Sequence, residues 1–242
     1  MNIILFDQTD HYRDSSIIRL SDSWFDHIVK VIKPETGRLL KVGIINGLTG
    51  TGRVEEITEG HIDISVKLDR EPPPPAPVTL LLAMPRPKMF KRILKHVTTL
   101  GIKSIYIINS WRVEKSYWQT PLLEKETIRE IFLNGLEQAC DTILPELHIK
   151  RFFKPFVDDE LPDIVQNTSP LVAHPKASEK STGLSHGPFT LAIGPEGGFI
   201  EQELTSLKDC GFKEVNFGNR ILNVETAVPF IVSRLIRKQY IP

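Results

Sequence analysis

The residues best suited to chemistry sit in two glycine-bearing segments and one short loop. Leu191-Ala192-Ile193 runs straight into Gly194-Pro195-Glu196-Gly197-Gly198-Phe199. Three glycines around a Pro-Glu pair permit positive φ and let bare main chain approach a ligand closely. A tight strand-to-helix turn with no ligand would use the same residues. The segment lacks both the Lys-Ser/Thr ending of a phosphate-binding P-loop and the spacing of a GxGxxG fingerprint. That argues against a nucleoside triphosphate site and against a nucleotide-binding dehydrogenase. Glu196 is either a general base or, the reading preferred on these residues, a carboxylate that fixes the loop by accepting from backbone N–H groups. The second segment is Gly218-Asn219-Arg220-Ile221-Leu222-Asn223-Val224-Glu225-Thr226. Arg220 falls between a strand and an apolar helix, where a buried cation needs a partner. Glu225 is nearest by sequence; an arginine that orients a phosphate or a cofactor carboxylate is the functional alternative. The loop Ala173-His174-Pro175 comes third. His174 reads as a loop residue rather than a metal ligand, and no Cys or carboxylate cluster points to a metal.

Three such loops converge where the elements before them are parallel strands of one sheet. Val78–Met84 is a continuous apolar strand and Ser104–Asn109 a second strand, on either side of an amphipathic helix, Lys88–Leu100, which Gly101 closes. A long helix is predicted over about 124–140, then strands at Leu171–Ala173 and Phe189–Ile193. Glu201–Asp209 is helical, Glu214–Phe217 a short strand, and an apolar helix runs to Tyr240. Strands alternating with helices imply a parallel sheet covered on both faces, and ligands in such sheets bind beyond the carboxyl ends of the strands.

Glu71-Pro72-Pro73-Pro74-Pro75-Ala76-Pro77 precedes this region and favours extended geometry that continues neither helix nor sheet. Before it, Ser15–Leu20, Leu39–Ile45, Thr51–Ile57 and His61–Leu68 alternate apolar and polar residues, with turn signals at Asn46-Gly47 and Glu59-Gly60. Asp22–Val31 is helix-like, with Trp24, Ile28 and Val31 on one face. The expected organisation is a small β-barrel over 1–71, a linker over 72–77 and an α/β domain over 78–242.

The 242 residues carry 30 basic and 30 acidic side chains, so bulk charge does not coat nucleic acid, although local basic clusters remain available. Hydrophobic residues make up 40 %, an ordinary globular fraction. Cys140 and Cys210 lie far apart without CxxC spacing, which disfavours a zinc site or a disulfide framework and fits a reducing compartment. The N-terminus does not resemble a signal peptide and no apolar run is long enough to span a bilayer, so a cytoplasmic protein without membrane association is expected.

Leu191–Leu204 (LAIGPEGGFIEQEL) followed by Phe217–Val228 (FGNRILNVETAV) resembles the paired signature of the RsmE-type ribosomal RNA uridine-N3 methyltransferases. The similarity extends to His27–Val31, Leu100-Gly101-Ile102, Arg112–Ser116, Gly135–Ala139 and His174-Pro175. It implies a PUA-like β-barrel followed by an α/β knotted SPOUT methyltransferase domain, a parallel sheet with a C-terminal trefoil knot. It also implies S-adenosyl-L-methionine as cofactor, ribosomal RNA or the small ribosomal subunit as substrate, and a homodimer. The cofactor would be held by His174, Ile193, Gly194, Pro195, Glu196, Gly197, Gly198, Phe217, Gly218, Ile221, Leu222 and Asn223. The sequence departs from the family at Asn223, where arginine is usual, and at Asp141-Thr142, where an arginine usually continues the helix motif.

Under this resemblance Arg220 stabilises developing charge and Glu225 is a possible base for the uridine N3 proton. Arg13, Arg19, Lys30, Arg86, Lys88, Arg112 and Lys115 are candidate RNA contacts, with Lys91 and Arg92 beside them. Transfer to a ribose 2′-hydroxyl or another base, or a non-catalytic RNA-binding protein of the same fold, are the competing functions.

Overall fold

The structure is a computed structural model that describes residues 2–7, 12–14, 16–21, 25–26, 28–29, 32–180 and 187–236. The chain forms two compact units: Met1–Pro74 with Phe132–Leu144, and Pro75–Ile131 with Pro145–Pro242.

The first unit holds strands β1 (Ile4–Phe6), β2 (Tyr12–Asp14), β3 (Ile17–Ser21), β4 (Leu39–Ile44), β5 (Thr49–Ile57) and β6 (His61–Arg70). They form a six-stranded sheet in the order β1-β4-β5-β6-β3-β2. The β1–β4 pair is parallel and the others are antiparallel. Successive strand residues face opposite sides, and β1 is buried on both. Ile4 and Phe6 join Ile18, Leu20, Ile28, Val42, Val54, Ile62 and Ile64 in one cluster. Ile3 and Leu5 join Ile45 and Leu136 in another. Leu136 comes from residues 132–144, which also tie down the Asn46-Gly47 turn. There Asn46 N–H donates to the Thr142 carbonyl at 2.8 Å, and Leu144 N–H donates to Asn46 Oδ1 at 2.9 Å. Asp141 and Thr142, which depart from the family pattern, are therefore buried structural residues of this unit. Arg19 is also engaged here, in a two-pronged pair with buried Asp63 at 2.7 Å on each arm.

The second unit holds β7 (Val78–Ala83), α1 (Pro87–Thr99), β8 (Ser104–Ile108), the first half of α2 (Lys125–Ala139), and β9 (Glu146–Lys150). After a helical segment at 153–165 come β10 (Ser169–Ala173), β11 (Phe189–Ile193), α3 (Glu201–Asp209), β12 (Lys213–Val215) and α4 (Val224–Leu235). The strands build one six-stranded sheet, β12-β10-β11-β7-β8-β9, parallel at every pairing. β7 and β11 sit at its centre and are almost wholly buried, which is why both read as uninterrupted apolar runs. Phe90, Ile93, Leu94 and Val97 form the buried stripe of α1, which packs against α4. In α4, Val224, Val228, Ile231 and Val232 face inward while Phe230 stays 39 % exposed. Most of this helix's apolar surface is thus core. From β7 the chain fills one side of the sheet with β8 and β9, then crosses to the other side, where β11, β10 and β12 lie in that order outward from β7. Ligands collect at a reversal of this kind, outside the carboxyl ends of the strands.

Candidate functional site

Loops leaving the carboxyl ends of β10, β11 and β12 enclose a cavity of about 360 Å³, within the usual size range of small-molecule sites. The glycine turn and the arginine-bearing loop are neighbours across it. Of the twelve residues expected to hold a cofactor, His174, Ile193, Gly194, Pro195, Glu196, Gly198, Phe217, Gly218, Ile221, Leu222 and Asn223 line it, and Arg220 lines it too. Gly197 does not. It lies under Arg112, whose guanidinium donates to the Gly197 carbonyl, and a Cβ on Gly197 would fall 2.9 Å from Arg112 Cδ. Phe199 of the glycine-bearing loop lines the cavity as well, and Ala227 and Ile231 of α4, which sequence reasoning did not assign to the site, complete the apolar wall.

The loops are fixed from behind. The preceding residue, Ile200, has no side-chain acceptor to cap α3, so Glu203, at the third helical position, takes over. Its Oε2 accepts from Ile200 N–H at 2.9 Å and from Ser110 Oγ at 3.1 Å, and its Oε1 accepts from Trp111 N–H at 2.8 Å. Glu203 is only 5 % exposed, and the helix N-terminus adds a favourable field for its charge. The loop-fixing carboxylate is thus Glu203, not Glu196. Glu196 instead faces Arg86, Oε1 to Nε 3.9 Å. Arg86 is further engaged by Tyr117, the first cause of the upward shift of its own pKa. The Tyr117 hydroxyl donates to Glu114 Oε1 at 3.0 Å; burial first, then this bond, push the phenol pKa upward. A Glu at the third position of α3 was a readable capping signal, masked by the isoleucine at the cap.

The expected Arg220–Glu225 partnership does not form. Arg220 is exposed, while Glu225 Oε1 pairs with Arg92 Nη1 at 3.3 Å, across the α1–α4 contact. A partner 133 positions away cannot be read from local sequence. Glu225 lies just outside the cavity wall formed by Asn223 and Val224. Asn223, where the family has arginine, caps α4 by accepting Thr226 N–H on Oδ1 at 2.8 Å, a role asparagine fills well. Among the expected RNA contacts, Lys88, Arg112 and Lys115 are exposed. Lys30 and the Arg13 side chain lie outside the described residues.

His174 Nδ1 is 2.7 Å from Glu214 Oε2, and Lys208 binds the other carboxylate oxygen. The bond from Lys208, then that from His174, hold the Glu214 carboxyl below its ordinary range. The bond to Glu214 likewise raises Lys208. Glu214's stabilising share is therefore complete above about pH 4.3, its unfolded value, and is lost as pH falls through the lowered folded value. The Lys208 share is complete below about pH 10.4 and is lost only as pH rises through its raised value. Urea denaturation of the Glu214→Gln variant is expected to show a lower midpoint than the parent at pH 7. The difference should shrink as both are acidified; a gap unchanged at the acid end would refute this linkage.

A parallel sheet with an apolar cavity beyond its carboxyl ends, walled by main chain at a glycine turn, defines an α/β protein built to take a small organic ligand there. A family model described as an RNA methyltransferase domain matches residues 72–236. The ribosomal RNA small subunit methyltransferase E of Treponema pallidum is 33 % identical over 232 residues, 94 % of this chain and 87 % of that one. Two solved structures share the fold. A methyltransferase from Legionella pneumophila, in complex with S-adenosylmethionine, has a TM-score of 0.76 at 21 % identity and covers 97 % of this chain and 96 % of its own. The small subunit methyltransferase E of Neisseria gonorrhoeae, bound to the same cofactor, has a TM-score of 0.76 at 19 % identity over 96 % and 95 %. This chain belongs to the RNA methyltransferase family, in its ribosomal RNA small subunit methyltransferase E branch.

Proposed function

We propose that the protein uses S-adenosyl-L-methionine to methylate N3 of a uridine in 16S ribosomal RNA. The observation that carries this reading is the joining of the glycine turn and the arginine-bearing loop around one cavity of about 360 Å³, in a chain of this family. The name of the Treponema relative and the cofactor in the Legionella and Neisseria structures support it.

The residues present fit that cofactor. Bare main chain at Gly198 and Gly218 leaves room for close approach, and Phe217, Leu222, Val224, Ala227 and Ile231 offer apolar walls for a flat base. Glu196 adds an anion for the ammonium of an amino-acid end. When bound, the cofactor supplies a methyl group made electrophilic by its sulfonium sulfur. The chain's main task is then alignment, which lowers the barrier by holding acceptor and donor in reacting geometry. Main-chain groups of 193–198 and 217–222 would bind the cofactor's two ends, with Ile221 and Leu222 against the adenine and His174 and Asn223 at the rim. Arg220 would stabilise the negative charge that develops on a uracil oxygen as N3 loses its proton. Glu225 would accept that proton after release from Arg92. N3 lies on the pairing edge, so the target base must be unpaired or extruded.

In the same reading residues 1–71 are a PUA-like RNA-binding β-barrel and 72–77 a linker. Residues 78–242 are a SPOUT domain with a C-terminal trefoil knot, and the protein acts as a cytoplasmic homodimer. No helix among the described residues is long and apolar enough to cross a membrane. Arg86, Lys88, Arg112 and Lys115 supply the RNA contacts; Arg19 is left out because Asp63 already holds it.

The test is incubation of purified small ribosomal subunits and free ribosomal RNA with the protein and cofactor, followed by nucleoside mass spectrometry and mapping. 3-Methyluridine is the expected product. Methyl on a ribose 2′-hydroxyl or another base overturns the acceptor, and absence of cofactor binding overturns the enzyme. Arg220→Ala should cut turnover about tenfold, less than the loss of an enclosed oxyanion donor because Arg220 is open to water. Its cofactor affinity, read by calorimetry, should stay within twofold or so of the parent.

A further inference from the structure

We propose that Trp111 and Phe152 form a base-stacking surface for unpaired nucleotides beside the target base, with Arg112, Lys115 and Arg151 as its phosphate-facing cations. The inference rests on the RNA-modifying reading above and names a part of the substrate surface that the cavity itself does not supply.

The two rings are 80 % and 73 % exposed, a condition that marks a contact surface when large aromatics sit near one another. Both stand on rigid ground. Ile108 is in register with Lys150, and Asn109 N–H donates to the Lys150 carbonyl at 2.9 Å, so the loops carrying Trp111 and Phe152 leave the same end of adjacent strands. The Trp111 main chain is pinned by Glu203, the carboxylate that also holds Ile200 after the glycine turn. Phe152 precedes Phe153, whose ring packs against Phe199 with centroids 6.4 Å apart, and Phe199 is a wall of the cavity. The main chain that carries both rings is thus tied to elements that wall the same site.

Charge identifies the occupant. The Arg151 guanidinium lies over Trp118 at 5.4 Å and also donates to the Trp118 carbonyl, while the Trp118 indole N–H donates to Asn109 Oδ1 at 3.1 Å. Stacking of this kind holds a guanidinium in place without neutralising it. Arg112 is held by the Gly197 carbonyl of the glycine turn, again without an anion. Among the described residues Arg112, Lys115 and Arg151 have no acidic partner, and all three are exposed. An apolar protein face would have to bury these cations unpaired. A single-stranded polyanion with flat bases satisfies rings and charges together. A target base whose pairing edge must be free has neighbours that are themselves open to stacking.

The test uses the full chain with Trp111→Ala, Phe152→Ala and the double variant, titrated with a labelled, unstructured, uridine-rich RNA at several salt concentrations. Each single variant is expected to weaken RNA binding about tenfold. The dependence on salt should not change, because no cation is removed, and Trp111→Phe should restore most of the affinity. Cofactor affinity and the urea midpoint should match the parent, since the rings support neither the cavity nor the core. Parental RNA affinity in the double variant overturns the proposal. So does loss of self-association in sedimentation with RNA affinity intact, which would assign the rings to a contact between copies. If the parent binds no cofactor, the methyltransferase reading fails separately, while the RNA titration still decides the stacking surface.

Discussion

Glu203→Ala is expected to lower the stability of the second unit by about 3–5 kcal/mol, the largest loss from a single side chain outside the apolar core. The substitution strips one carboxylate from three donors: Ile200 N–H, Trp111 N–H and the hydroxyl of buried Ser110. A bond to a charged acceptor is worth about 1.5–3 kcal/mol, and a buried donor left alone costs about 1–3 kcal/mol. The sum is discounted because the two main-chain donors are only partly buried and can recruit water. Glu203→Gln keeps one acceptor oxygen and the side chain's shape, so its loss should be less than half as large. Urea midpoints of the three proteins check the order. Equal midpoints for alanine and parent would show that water replaces the carboxylate at no cost. The same variant should weaken cofactor binding, because Glu203 ties the loop after β8 to the residue that follows the glycine turn.

That tie explains where sequence reasoning succeeded and stopped. Phe189–Ile193 and Glu201–Asp209 were legible to the residue, because a buried central strand is a continuous apolar run and glycine marks both its exit and the helix's end at Gly211. β9 was not legible. Glu146–Lys150 is a five-residue edge strand, only half-buried; its Glu-Leu-His-Ile-Lys alternation is a period-2 signal, but one too short to stand out. β1 was missed for the opposite reason. Both its faces are buried, and the cover for one of them comes from Leu136 and its neighbours, over a hundred positions later. The helical segment at 153–165 passed unnoticed as well; prolines at 155 and 162 and the irregular turns between them blur any 3.6-residue period.

The candidate site divides along the same line. Residues that line the cavity with their own main chain could be named in advance, since the glycines and the strand ends announce them. Partnerships between distant elements could not. Glu225 with Arg92, Glu196 with Arg86 and Glu203 with Trp111 each join residues brought together only by packing of α1, the loop after β8 and α3. The electrostatic assignments made from sequence neighbours, Arg220 to Glu225 above all, were the ones that needed revision.

Gly198→Val is expected to weaken cofactor binding at least about tenfold, because the glycine turn depends on one backbone angle more than on space. Gly198 has φ +72°, and no atom lies within 4 Å of where its Cβ would sit. Its N–H closes the turn onto the Pro195 carbonyl at 2.8 Å. An L-residue in this conformation costs roughly 1–2 kcal/mol, and more when branched at Cβ. The loop would relieve that strain by rotating out of the left-handed region, breaking the turn and moving main chain that walls the cavity. Two companions separate conformation from bulk. Gly198→Asn adds a side chain of similar size but tolerates positive φ, so it should retain most of the affinity. The Cβ of Gly197→Ala meets Arg112 most closely, at Cδ 2.9 Å, an atom on a flexible side chain that can move, and Gly197 does not line the cavity. Its expected effect on cofactor binding is within about twofold, near the ordinary range for exposed substitutions. Calorimetric titration with S-adenosylmethionine reads all three. If valine and asparagine at 198 lost affinity equally, the space at the turn rather than its φ would be the controlling quantity. If valine lost none, the glycine turn would have no part in holding the methyl donor.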